Sequence, residues 1–152
     1  MEACVFSFDH GFGIRVRVRA GFASPYMKLC VRLGCTNPNL DIVVVADHTV
    51  PAPSIAAANA MKRMREFVDR FEIEKFYAEG RHGIAHVVLG EDGLALPGMT
   101  LACDDSHSCS SGALNCLARG LGLADMMYAL CKGQAWYMVG STIKIVLDGE
   151  LR

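Results

Sequence analysis

The sequence predicts an α/β domain of three layers, α/β/α, built on a largely parallel sheet. Three observations predict it. Apolar, strand-like runs alternate along the chain with stretches of helical period. Two of the runs, LDIVVVADH (40–48) and MTLAC (99–103), read as strands buried on both faces. Both end in proton-carrying side chains, Asp47-His48 and Asp104-Asp105-Ser106-His107. That placement suits the carboxyl edge of a parallel sheet, where ligands bind.

GIRVRVRA (13–20) alternates apolar and basic residues, which predicts a half-exposed strand whose charges suit a sheet edge. SPYMKLCVRLG (24–34) predicts a short helix, with Ser24 as N-cap, Pro25 in the first position and Gly34 as stop. LDIVVVADH follows as a buried strand. SIAAANAMKRMREFVDRF (54–71) carries an apolar stripe at helical spacing behind Ser54 as cap. IEKFYA (73–78) predicts a strand, and IAHVVLGEDG (84–93) suits a short helix or a strand equally. After MTLAC, SGALNCLARGLG (111–122) and LADMMYALCKG (123–133) predict two helices, the second stopped by Gly133. TIKIVLDGE (142–150) closes as an alternating strand.

A chain of 152 residues that is 52% hydrophobic and 20% charged suits one folded domain. Its net charge of −1 leaves no electrostatic footprint for nucleic acid. No apolar run approaches the roughly 18 residues a membrane span needs. The opening MEACVFSFDHGFG lacks the basic and apolar regions of a secretory signal. The seven cysteines lie mostly in apolar segments and form no C-x-x-C. They are read as reduced thiols of a cytoplasmic or mitochondrial-matrix protein, without the usual spacing of a zinc or iron–sulfur site.

The polar strand ends have two readings each. Asp47-His48 is either an imidazole held by a carboxylate for proton transfer or a polar strand end that caps a turn. His86, between Ile84-Ala85 and Val87-Val88-Leu89, is either a site residue or a satisfied core histidine. Asp105-Ser106-His107 is either an oriented imidazole beside a substrate-binding hydroxyl or an Asx-type turn. No G-x-S-x-G surrounds Ser106, which argues against a serine hydrolase. Cys103 and Cys109 flank this turn at a spacing that matches no strong metal template, and they are read as packing or helix-start thiols.

Three blocks carry a family likeness: ADHTVPAP (46–53), GIAHVVLGEDGLALPGMTLACDDSHSCSSGAL (83–114) and GQAWYMVGSTIKIVLDGEL (133–151). In order and approximate spacing they resemble the aconitase superfamily, and within it the 3-isopropylmalate dehydratase large subunit and homoaconitase branch. The likeness covers roughly 25–152, a partial aconitase-type domain, and leaves 1–24 as an unmatched N-terminal segment. It implies a hydro-lyase that dehydrates and rehydrates a hydroxy di- or tricarboxylic acid with a [4Fe–4S] cluster. By position it implies that Asp47 and His48 assist the leaving hydroxyl and that His86 and Asp105 form a second pair near the substrate. His107 would be a third imidazole, with Ser106 beside it at the substrate.

The family places its cluster cysteines later, as one Cys and then a C-x-x-C. None of the seven cysteines here matches them, so no metal ligand is carried over. The resemblance therefore implies a fragment, inactive alone, that needs the remaining domains or a small subunit and has apolar domain faces. The alternative is a non-catalytic carboxylate-binding or regulatory module on the same scaffold. A Cys/His redox or zinc protein is a third reading.

Overall fold

The computed structural model describes residues 2–7, 14–18, 41–48 and 50–150. The helix expected over 24–34 lies outside them. Five strands, β2 (Ile14–Val18), β3 (Asp41–Val45), β4 (Lys75–Tyr77), β5 (Thr100–Cys103) and β6 (Leu117–Gly120), form one sheet in the order β4-β3-β2-β5-β6. Every pairing in it is parallel. β1 (Glu2–Ser7) and β7 (Gln134–Val139) pair antiparallel as a separate ribbon. Neither strand is among those expected from the sequence.

Among the described residues, three helices flank the parallel sheet: α1 (Ile55–Arg70), α2 (Ala85–Glu91) and α3 (Leu123–Lys132). Met61, Met64 and Phe67 of α1, with Met126, Met127 and Leu130 of α3, pack on Ile42, Val44 and Ala102. Ala85 and Leu89 of α2 pack on the opposite face, against Val43, Val45 and Leu101. These two cores make the three layers. β3 feeds both, which is why its run is continuously apolar rather than alternating. Each large aliphatic, aromatic or methionine side chain so buried contributes about 1.5–3 kcal/mol.

Helix α1 starts where its cap predicts, with the Ala57 amide donating to Ser54 Oγ at 3.2 Å. α3 ends at Gly133, whose φ of +65° lets its amide turn back to Ala129 O at 2.8 Å. The segment 84–93, ambiguous in sequence, forms α2.

Three expectations are corrected. β2 lies at the centre of the sheet, between β3 and β5, and not at an edge. Side-chain alternation reports the two faces of a strand, whereas edge position is decided by backbone pairing. The helix expected over 111–122 is instead a 3₁₀ helix, Ser108–Leu114, followed by β6. Asn115 takes a left-handed φ of +59° and ends the helical turn, and parallel pairing with β5 then outweighs local propensity. The strand expected over 142–150 does not form, and Ile143, Ile145, Val146 and Leu147 are exposed. An alternating pattern makes a strand only where another strand offers an edge to pair with.

Candidate functional site

Only β2 separates β3 from β5, and all three run in one direction. Their carboxyl ends therefore open on one edge of the sheet, and the two polar clusters meet there. Asp47 leaves β3 with its side chain only 5% exposed. Its Oδ1 lies 2.7 Å from His48 Nδ1. Its Oδ2 accepts a hydrogen bond from the Ala85 amide at 3.1 Å. Ala85 opens α2, whose N-cap Ile84 has no side chain able to accept. Asp47 thus satisfies an orphan helix-start donor from 38 residues away. His48 itself has a φ of +69°, a left-handed backbone that non-glycine residues adopt at a cost and that clusters at functional sites.

Asp47 anchors α2, and α2 positions His86. His86 Nε2 lies 2.9 Å from Asp105 Oδ1 at the end of β5. With Asp105 ionised the carboxylate only accepts, and Nε2 then donates. The Asp105 side chain is 2% exposed, a burial that an unpartnered charge does not survive. The same Oδ1 accepts from the His107 amide at 2.7 Å and lies 3.4 Å from His107 Nδ1. The amide contact makes the Asx turn, and the His86 and His107 rings both approach the same carboxylate oxygen. Ser106 Oγ lies 3.2 Å from His107 Nδ1.

Two residues without a sequence signal fix the Asp105 backbone. Ser108 Oγ donates to Asp105 O at 2.6 Å. Gly120, at the end of β6, lets that strand approach so closely that a Cβ there would stand 2.6 Å from Asp105 O. The Ser108 contact is local, three residues along the same turn, whereas the Gly120 approach crosses from one chain segment to another, so spacing along the sequence gives no hint of it.

One network therefore runs from His48 through Asp47, the α2 start, His86 and Asp105 to His107. Its two ends are exposed imidazoles and its middle is buried carboxylate. The His48 side chain is 66% exposed and that of His107 is 80% exposed. His86 is half-buried, and its ring meets that of His107 edge-on with centroids 6.4 Å apart. An open cleft of about 440 Å³ lies against Asp47, His48, His82 and Ile84. A second, of about 370 Å³, lies against Asp105, Ser106, Cys109 and Arg119. Away from the network, the Arg65 hydrogen bond holds the Glu79 carboxyl below its ordinary range. Burial pushes the Tyr137 hydroxyl up, opposed by the charge of Arg119.

A parallel α/β domain with histidine–carboxylate pairs at its strand ends is the kind of protein that the three sequence blocks implied. The chain belongs to the aconitase family: the model of that family (aconitate hydratase) matches residues 20–152. It is similar to the 3-isopropylmalate dehydratase large subunit of Mycolicibacterium smegmatis, at 48% identity over 110 residues, 72% of this chain and 26% of that protein. It is 44% identical over 113 residues to the same subunit of Caldanaerobacter subterraneus, covering 74% of this chain and 27% of that one. It is also 44% identical over 110 residues to large subunit 1 of Methanopyrus kandleri, covering 72% and 26%. The chain thus spans about a quarter of the length of the curated relatives it matches.

The family implies an iron–sulfur cluster. Among the described residues no three His, Cys, Asp or Glu side chains converge so as to hold a metal ion. The described cysteines are thiols at scattered places: Cys103 and Cys116 are buried, Cys109 is exposed and Cys131 lies on α3. Cys116 is engaged in donating to Leu96 O at 3.1 Å. The described residues therefore do not fit as the ligands of such a cluster, and no step below runs through one. No helix among them is long and apolar enough to cross a membrane.

Proposed function

We propose that this chain carries the histidine–carboxylate part of a hydro-lyase site of the 3-isopropylmalate dehydratase type, acting on a small hydroxy di- or tricarboxylic acid. The observation that carries this reading is the 2.9 Å contact of His86 Nε2 with Asp105 Oδ1, which joins two strand ends through the helix that Asp47 anchors. Dehydration breaks a C–O bond and a C–H bond, forms a C=C bond and releases water. The departing hydroxyl needs a proton. His48 supplies it from Nε2, because Asp47 holds the other ring nitrogen and fixes the ring's orientation. His86, fixed by Asp105, and His107, with Ser106, hold the substrate by hydrogen bonds. All of these roles rest on the family likeness and the geometry together.

The base for the carbon-bound proton is assigned to parts of the assembly that this chain does not supply. The relatives are named large subunits, which supports a small subunit or further domains as partners. Alone, the chain is expected to be inactive. The test replaces the matched 110 residues of the Mycolicibacterium smegmatis subunit with those of this chain and assays dehydration of 3-isopropylmalate beside its own small subunit. The hybrid should turn over, and His48→Ala or Asp105→Asn in it should lower kcat at least about a hundredfold. Unchanged kcat in both variants would overturn the reading. Turnover by the isolated chain would overturn its inactivity.

A further inference from the structure

Strand β6 brings one more charged group to the strand ends, and the network does not use it. Arg119 pairs in register with Ala102 of β5, so it follows β5 toward Asp105. The next residue, Gly120, is the one whose missing Cβ lets β6 close against Asp105 O. Arg119 consequently lines the 370 Å³ cleft together with Asp104, Asp105, Ser106 and Cys109. It is exposed, and it is the one cation among the described residues that line this cleft. It takes no ion pair or side-chain hydrogen bond among the described residues.

We propose that Arg119 anchors one carboxylate of the substrate in the cleft at the end of β5, and so sets which acids bind. The proposal rests on the hydroxy-acid reading above. Without Arg119 the wall beside Ser106 carries the charge of two carboxylates, the half-buried Asp104 and the buried Asp105, behind a ligand that itself carries two or three. Like charges at such range repel, and a substrate carboxylate settles there only against a cation. A guanidinium suits the task because its planar fork meets both oxygens of a carboxylate at once. The position also gives selectivity. A carboxylate on Arg119 lies on the β6 side of the cleft, and the rest of the acid then extends past Ser106 toward His107 and His86. Tyr137 lines a neighbouring cleft with Arg119, and the opposition of Arg119 to the rise of the Tyr137 hydroxyl shows that its charge is felt there.

The test follows arginine Nε–H and imidazole signals by NMR as 3-isopropylmalate is titrated into the full chain, with sulfate as the comparison anion. The Arg119 signal should move with 3-isopropylmalate and far less with sulfate. Arg119→Gln should weaken binding at least about tenfold, and Arg119→Lys should weaken it less, because it keeps the charge but not the fork. If the His86 and His107 signals move and Arg119→Gln binds equally well, Arg119 is not the anchor and the hydro-lyase reading stands. If sulfate moves Arg119 as strongly, the site is a general anion contact and the proposal falls. If neither arginine nor imidazole signals respond, both readings fall. Arg119→Lys also guards against misfolding, since it keeps the charge and the aliphatic stem on the surface of β6.

Discussion

The ends of β3 and β5 solve one chemical problem with different scaffolding. Each sets a buried carboxylate behind an exposed imidazole. Asp47 does so at the start of a short helix, and the chain turns back on itself through a left-handed His48. Asp105 does so inside a turn tied from several sides, by His86, by the His107 amide and by Ser108. β4 offers a contrast: shortly after it ends, Glu79 pairs on the surface with Arg65 and nothing buries it. A carboxylate beyond a strand end is thus not enough to make a site. What separates Asp47 and Asp105 from Glu79 is burial combined with donors drawn from distant segments.

The comparison yields graded expectations. Asp105→Ala should have the largest effect. It leaves a half-buried imidazole and an ordered turn without their acceptor, and it should cost about 3–5 kcal/mol, read from the urea midpoint at unchanged slope. Asp47→Ala should cost less, about 1–2 kcal/mol, because it removes one helix-start acceptor and a contact to an exposed ring. A cost at Asp47 equal to that at Asp105 would break the distinction between the two ends. His48→Gly should stabilise the fold by up to about 1 kcal/mol, since glycine takes a left-handed φ freely, while the hybrid enzyme loses activity. Stability and activity would then move in opposite directions at one residue.

Glu79 gives the smallest effect. Its folded pKa is lowered, so its contribution is present above the ordinary carboxylate range and is lost as pH falls through the lowered value. Both partners of the pair are more than a third exposed, so solvent screening limits this to about 0.2–1 kcal/mol, toward the low end. Arg65→Ala should abolish that acid-side loss in pH-dependent denaturation and leave the strand-end network unchanged.

Much of this was legible because strong local signals met matching tertiary demands. The continuous apolar run of β3, the Ser54 cap and the Gly133 stop each identify an element from a few neighbouring residues. The pairing of acids with imidazoles at the two strand ends was legible for the same reason: it is written in adjacent letters. What was not legible depends on contacts between distant segments. The central place of β2 is set by its partners, not by its arginines. β6 forms because β5 offers an edge to residues 117–120, although SGALNCLARGLG favours a helix locally. The amide of Ala85 as a ligand of Asp47, and the close approach of Gly120 to Asp105, exist only once the chain has closed on itself. The alternating 142–150 segment shows the converse, a strong local strand signal with no strand formed.

The most direct test is the tautomer of His86, read from its ring-nitrogen shifts in ¹⁵N NMR. Donation to an ionised Asp105 requires the proton on Nε2, so a single Nε2–H form, lost in Asp105→Ala, is the expected result. A ring averaging between its two tautomers, or unchanged by Asp105→Ala, would mean that the strand ends are not joined through this contact, and the network account would fail.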